Sequence, residues 1–149
     1  MDADARLEGF IAKFSDKVAG EARDAVDRMR NRLPGAIIAV YDNYNALAIG
    51  FGTGEKVGDM VFSLAIYPRW VSLFFGQGAT LDDPHGMLKG AGSRVRHVVL
   101  SDIALLDDPR VRDLMDRAMA HAPTLTDAAT PGRIVIKSVA ANQRPRRPA

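Results

Sequence analysis

The chain has 149 residues and a mass of 16.1 kDa, which exposes roughly 7,400 Å² folded against roughly 23,000 Å² extended, enough for one core and too little for two comfortable domains. Hydrophobic residues make up 47% and charged residues 26%, the usage of a globular rather than a disordered chain, and the absence of cysteine excludes a disulfide scaffold, a thiol nucleophile and a thiolate metal site. With 20 Lys and Arg against 18 Asp and Glu, the net charge is +2 and the sequence pI near 9.1, a value that at face value hints at an acidic partner.

Leu7, Phe10, Ile11 and Phe14 recur at the spacing of one helical face. Val18, Ala22, Ala25, Val26, Met29 and Leu33 give a second helix, with Ser15 as its cap and Pro34-Gly35 as its stop. The two are predicted to pack as a pair. From residue 36 the period changes. Segments 36–41, 46–51, 60–67 and 70–75 are rich in Ile, Val, Phe and Tyr and read as four strands. Their short breaks suit antiparallel hairpins, because parallel strands need long crossovers.

Residues 76–94 form the least regular segment, with Pro84 and several glycines. A fifth strand is predicted over 95–100. Asp108-Pro109 then opens a helix striped by Val111, Leu114, Met115, Ala118 and Met119, and Pro123 ends it. Residues 133–139 read as a last strand, with Ile134 and Ile136 on one face. The tail 143–149 carries Arg144, Arg146 and Arg147 with nothing apolar to bury, so it is predicted to be disordered.

The predicted fold is thus α+β: an N-terminal helix pair on a mainly antiparallel sheet of about five to six strands, with one late helix, as a single domain over 1–142 followed by a basic tail. Several strands are apolar on both alternations, Val71, Leu73 and Phe75 beside Trp70 and Phe74 for example. One face is expected to meet the helices and the other to be covered by something, a second subunit in a homodimer being one candidate. The acidic start, Met1-Asp2-Ala3-Asp4-Ala5-Arg6, lacks the basic and apolar regions of a secretory signal. The longest nearly uncharged apolar stretch, 60–68, is far short of the ~20 residues that span a bilayer. A cytoplasmic protein with no membrane partner is the expectation.

The run Gly78-Ala79-Thr80-Leu81-Asp82-Asp83-Pro84-His85-Gly86-Met87-Leu88-Lys89-Gly90-Ala91-Gly92-Ser93-Arg94-Val95-Arg96-His97 resembles the signature of the YdhG-like domain-of-unknown-function family, a G-x-x-L-x-D, Leu, G-x-G-(K/S), Arg pattern between two strands. The helix pair closing at Leu33-Pro34 and the C-terminal strand running into Gln143-Arg144-Pro145 are similar as well. Val40-Tyr41-Asp42-Asn43-Tyr44 departs from the family: it keeps a tyrosine but not the Met-Pro of the usual turn. The resemblance implies mainly a fold. One relative described as a frataxin-like iron chaperone supplies the only biochemical lead, with iron as the implied cargo.

An iron site of that type uses exposed carboxylates on a helix, since hard iron ions prefer oxygen ligands. Glu21, Asp24 and Asp27 lie three apart on the second helix and form the metal candidate. Asp24 also stands four before Arg28, and Asp27 three before Arg30, the spacings of ordinary helix ion pairs, so a neutralised solvated face is the competing reading. His85, His97 and His121 include no i, i+4 pair. The Gly-rich run offers an anion site instead: Gly90 and Gly92 can present consecutive backbone N–H groups beside Lys89, Arg94 and Arg96. The simpler role of those glycines is a tight strand-to-strand connection. Tyr41 and Trp70, with Tyr44 and Tyr67, are candidates for a pocket over the sheet, against a plain core role.

The leading expectation is a module that is not an enzyme, with an enzyme whose site the sequence does not show as a further alternative. The module would bind a small molecule or a protein through the sheet face and the loop 76–96, using Tyr41, Trp70, Lys89, Gly90, Gly92, Arg94, Arg96 and His97, with no catalytic residues and no cofactor. The alternative is a frataxin-like iron carrier using Glu21, Asp24 and Asp27. Without Arg144, Arg146 and Arg147 the basic residues fall one short of the acidic ones. The basic pI therefore belongs to the tail, and a nucleic-acid partner is not predicted.

Overall fold

Two helices start by the same device. A computed structural model describes residues 1–148 and places α1 over Ala3–Ile11 and α2 over Asp16–Arg32. The Asp2 carboxylate accepts from the Ala5 N–H at 2.7 Å, and Ser15 Oγ accepts from the Val18 N–H at 3.3 Å. Each satisfies a donor that the first helical turn leaves without a partner. A third helix, α3 over Pro109–Met119, is capped by Asp108, whose carboxylate accepts from the Arg110 N–H at 2.9 Å. The Arg110 side chain and backbone both donate to that carboxylate and lower its pKa to about 2. No helix among the described residues is long and apolar enough to cross a membrane.

Six strands form one sheet: β1 Ile37–Asp42, β2 Leu47–Gly52, β3 Met60–Ile66, β4 Val71–Phe75, β5 Arg96–Val99 and β6 Arg133–Val139, in the order β5-β4-β3-β2-β1-β6. Neighbours run antiparallel except β1 and β6, which are parallel with a register shift between Val40 and Tyr41. This is the predicted α+β architecture, with one parallel pair that the short hairpin breaks did not anticipate. The crossover that a parallel pair needs is supplied by the remainder of the chain, α3 included, rather than by a local connection.

Side-chain alternation sorts the sheet into two faces. Ile38 and Val40, Leu47, Ile49 and Phe51, Phe62, Leu64 and Ile66, and Val71, Leu73 and Phe75 all point to the helix side and are buried. Leu7, Ile11, Val18, Ala22, Val26, Met29, Val111, Leu114 and Met115 meet them from the three helices. Phe62 and Phe75 pair edge to face across β3 and β4, centroids 5.5 Å apart. Burying each such large side chain stabilises the fold by about 1.5–3 kcal/mol. The helix layer is then tied together at its rim, where Arg28, Arg32 and Arg112 converge on Asp107, the latter two at 2.7 and 2.9 Å.

Residues 143–148 are placed differently from the predicted disordered tail; Ala149, the last residue of that prediction, lies outside the described residues. Arg146 is 5% exposed and donates to Asp42 Oδ1 at 2.9 Å. It also donates to the carbonyls of Asn43 and Tyr44, and its guanidinium sits 5.7 Å from the centre of the Phe14 ring. The Arg144 N–H donates to the Tyr44 carbonyl at 2.9 Å, and the Gln143 side-chain amide donates to the Asp42 carbonyl at 3.1 Å. The physical reason lies in β1. Asp42 falls on the same alternation as Ile38 and Val40, so its carboxylate is aimed into the core and is fully buried. A buried carboxylate must be paired, and Lys13 at 2.9 Å and Arg146 supply the two cations. Burial pushes the Asp42 carboxyl up, but hydrogen bonding with Gln143, Lys13 and Arg146 outweighs it and holds the group below its ordinary value.

Candidate functional site

The face of the sheet away from the helices is a trough, and its shape follows from register. One cross-strand row runs Tyr41, Ala48, Ala65, Ser72, Val99; the next runs Ala39, Gly50, Ser63, Phe74, His97. In both rows β2 and β3 contribute only Ala, Gly or Ser, while larger side chains stand at or near the row ends. The small residues lie low, with Ala39, Ala65 and Ser72 buried beneath their larger neighbours. The resulting cavity is about 810 Å³, within the range of small-molecule sites.

Strand direction gives the trough two unlike ends. The β1–β2 and β3–β4 turns lie at one end and bring Tyr44 and Tyr67 to the wall beside Tyr41. Tyr67 is held by Trp70, which stacks on it with centroids 4.7 Å apart and planes 24° from parallel. At the other end Met60, Gly76, Gln77 and Arg94 close the lining, where β3 begins and β4 ends. A Cβ on Gly50 would stand 2.5 Å from Met60 Sδ, so the absence of a side chain there is what lets Met60 lie down against the floor. The Tyr41 hydroxyl is shut off from solvent and has no hydrogen-bond partner.

The predicted site residues divide accordingly. Tyr41 and Arg94 line the trough, and Trp70 backs its wall through Tyr67. His97 lies one step along the second row and stacks on Phe74 at 5.0 Å, with planes 28° from parallel. Lys89 and Gly90 lie outside β5: the backbones of Lys89 and His97 exchange two hydrogen bonds, of 2.7 and 3.0 Å. Gly90 turns the chain with φ +107°, a left-handed conformation that favours glycine. Gly92 does not share that conformation, since Gly86 and Gly90 are the two glycines with positive φ among the described residues. Arg96 alternates to the other face, where its Cβ packs so closely on Gly78 that a Cβ added there would be 2.6 Å away. The anticipated cluster of Lys89, Arg94 and Arg96 is therefore spread over an edge and two faces.

The helical carboxylates are engaged by cations. Glu21 bonds Lys17 and Asp24 bonds Arg28, each at 2.8 Å. The spacing that paired Asp27 with Arg30 is not used; Arg30 reaches Asp4 at 2.8 Å, and Arg23 bonds Glu8. Asp27 lines a small cleft between α1 and α2 together with those residues. Among the described residues, no three His, Asp or Glu side chains are grouped to hold a metal ion.

The trough lining contains residues that the sequence reading passed over, Ala48, Met60, Ser63, Ala65 and Gln77 among them. For the small members the signal is in the sequence: in 47–52 and 62–66 large apolar residues alternate with Ala, Gly and Ser. On one side the large set makes a core, so the small set leaves empty volume on the other.

No family model, curated protein or solved structure matches this chain.

Proposed function

We propose that the protein is a binding module that takes a small, mainly apolar molecule into the trough on the open face of its sheet. The observation that carries this reading is the trough itself, a cavity of about 810 Å³ floored by Ala48, Ser63 and Ala65 and walled by Tyr41, Tyr44, Tyr67 and Phe74. The lining supports binding rather than proton transfer, because among the described residues it holds no Asp, Glu, His or Lys side chain. The YdhG-like resemblance of residues 78–97 belongs to the same proposal and adds no ligand of its own.

The test uses the neutral fluorophore phenylnaphthylamine, which brightens in apolar surroundings. Saturable binding of one molecule per chain is expected, and it should be abolished in Ser63→Phe, whose ring fills the floor, at unchanged melting temperature. A protein that fails to bind the dye, or a Ser63→Phe variant that binds it equally well, overturns the reading. Light scattering on the same samples distinguishes a ligand site from a face covered by a second copy: a dimer that excludes the dye would point to the second copy.

A further inference from the structure

The two ends of the trough differ in chemistry, and the difference selects a class of ligand. Three tyrosines crowd one end, whereas the other holds Arg94, the single charged residue in the lining. Among the described residues no carboxylate lines the cavity. Arg94 makes no side-chain hydrogen bond or ion pair within the described residues, although most arginines of this chain are paired with acids, as Arg23, Arg28, Arg30, Arg32 and Arg117 are. Its backbone is nevertheless fixed: the Arg94 carbonyl accepts from the Ala79 N–H at 2.9 Å. An unpaired arginine on an anchored backbone, in the lining of a largely apolar cavity with no acid to compete for it, is complementary to an anion. Guanidinium groups bind carboxylate, sulfonate and phosphate oxygens through paired N–H donors.

Resting on the reading of the trough as a ligand site, we propose that its ligand is a flat, largely apolar molecule with one anionic group, the ring system lying between the tyrosines and the anion held by Arg94. The stacked Tyr67–Trp70 pair makes the far wall stiff and planar, which suits an aromatic ring more than a flexible chain. The second row adds Phe74, itself stacked on His97, as a lateral wall.

Two dyes with a common skeleton test this: anilinonaphthalene sulfonate and phenylnaphthylamine, which lacks the sulfonate. The sulfonate is expected to bind more tightly. In Arg94→Ala it should weaken about three- to tenfold while the neutral dye is unchanged, and Arg94→Lys should recover part of the difference. Arg94 is exposed, so these variants are expected to fold, with melting temperature as the check. If both dyes bind alike to the unsubstituted protein, or Arg94→Ala weakens both equally, the anionic class is wrong while the ligand site stands. If the neutral dye fails to bind, or the sulfonate still binds to Ser63→Phe, the site itself is wrong.

Discussion

Strands β2 and β3 carry two surfaces on one backbone. Toward the helices they present Leu47, Ile49, Phe51, Phe62, Leu64 and Ile66, all fully buried, and toward the open side Ala48, Gly50, Ser63 and Ala65. The first set is buried in one cluster with residues of α1, α2 and α3. The second is overhung by aromatic residues and encloses space. Both surfaces are apolar, so hydrophobicity alone does not tell them apart; side-chain volume does. A core needs large residues to fill it, and a cavity needs small residues where the large ones would otherwise stand.

Substitutions on opposite faces of the same strand should therefore differ in kind. Phe62→Ala removes a fully buried ring and its edge-to-face partner contact with Phe75, and is expected to lower unfolding free energy by about 3–5 kcal/mol in urea titrations. Asp42→Ala strips the carboxylate from buried Arg146 and is expected to cost about 3 kcal/mol. A loss below about 0.5 kcal/mol, the scale of a surface substitution, would show that residues 143–148 are not held there.

The same carboxylate sets a pH dependence. Its folded pKa is depressed below the ordinary 3.8, so its contribution is complete above that value and drains away as the pH falls through the lower folded value. Melting curves of Asp42→Asn should lack that part of the acid sensitivity. Gly50→Ala pushes Met60 off the floor. It is expected to cost about 1 kcal/mol, with a clear loss of dye binding, because the displaced thioether takes up cavity volume. Ser63→Ala, on the open side of β3, is expected to stay within about 0.5 kcal/mol of the parent. A large loss there would mean that the trough floor is part of the packed core.

Much of the architecture was legible because it is periodic. The helix stripes at Leu7, Phe10, Ile11 and Phe14 and at Val18 to Leu33, and the six strands, arise from local spacing. The order of the strands does not, and neither does the parallel pairing of β1 with β6, which joins residues about a hundred positions apart. The placement of Arg146 is likewise not local. In a stretch of arginines and prolines it has nothing local to bury against, and its burial comes from a distant acid. The clue lay at the other end of the interaction, in an Asp on the inward alternation of an apolar strand, where a charge without a partner is not stable. For the candidate site, Tyr41, Tyr44 and Tyr67, which the sequence offers as pocket candidates against a plain core role, stand in the trough wall. The glycine-rich run, though, contributes only Arg94 and Val95 to the cavity; Asp83 orders its first half by accepting from the Met87 and Leu88 N–H groups at 3.0 and 2.9 Å.

The Asp42–Arg146 pair also dictates an order of events during synthesis. Its members are 104 residues apart, and β6, the second neighbour of β1, is likewise made late. At a translation rate of about 5–20 residues per second, β1 leaves the ribosome several seconds before either arrives. Throughout that interval it offers one unpaired edge and a carboxylate served by Lys13 alone, and exposed strand edges recruit other chains. A nascent chain stalled ahead of β6 is therefore expected to be the form of this protein most in need of a chaperone.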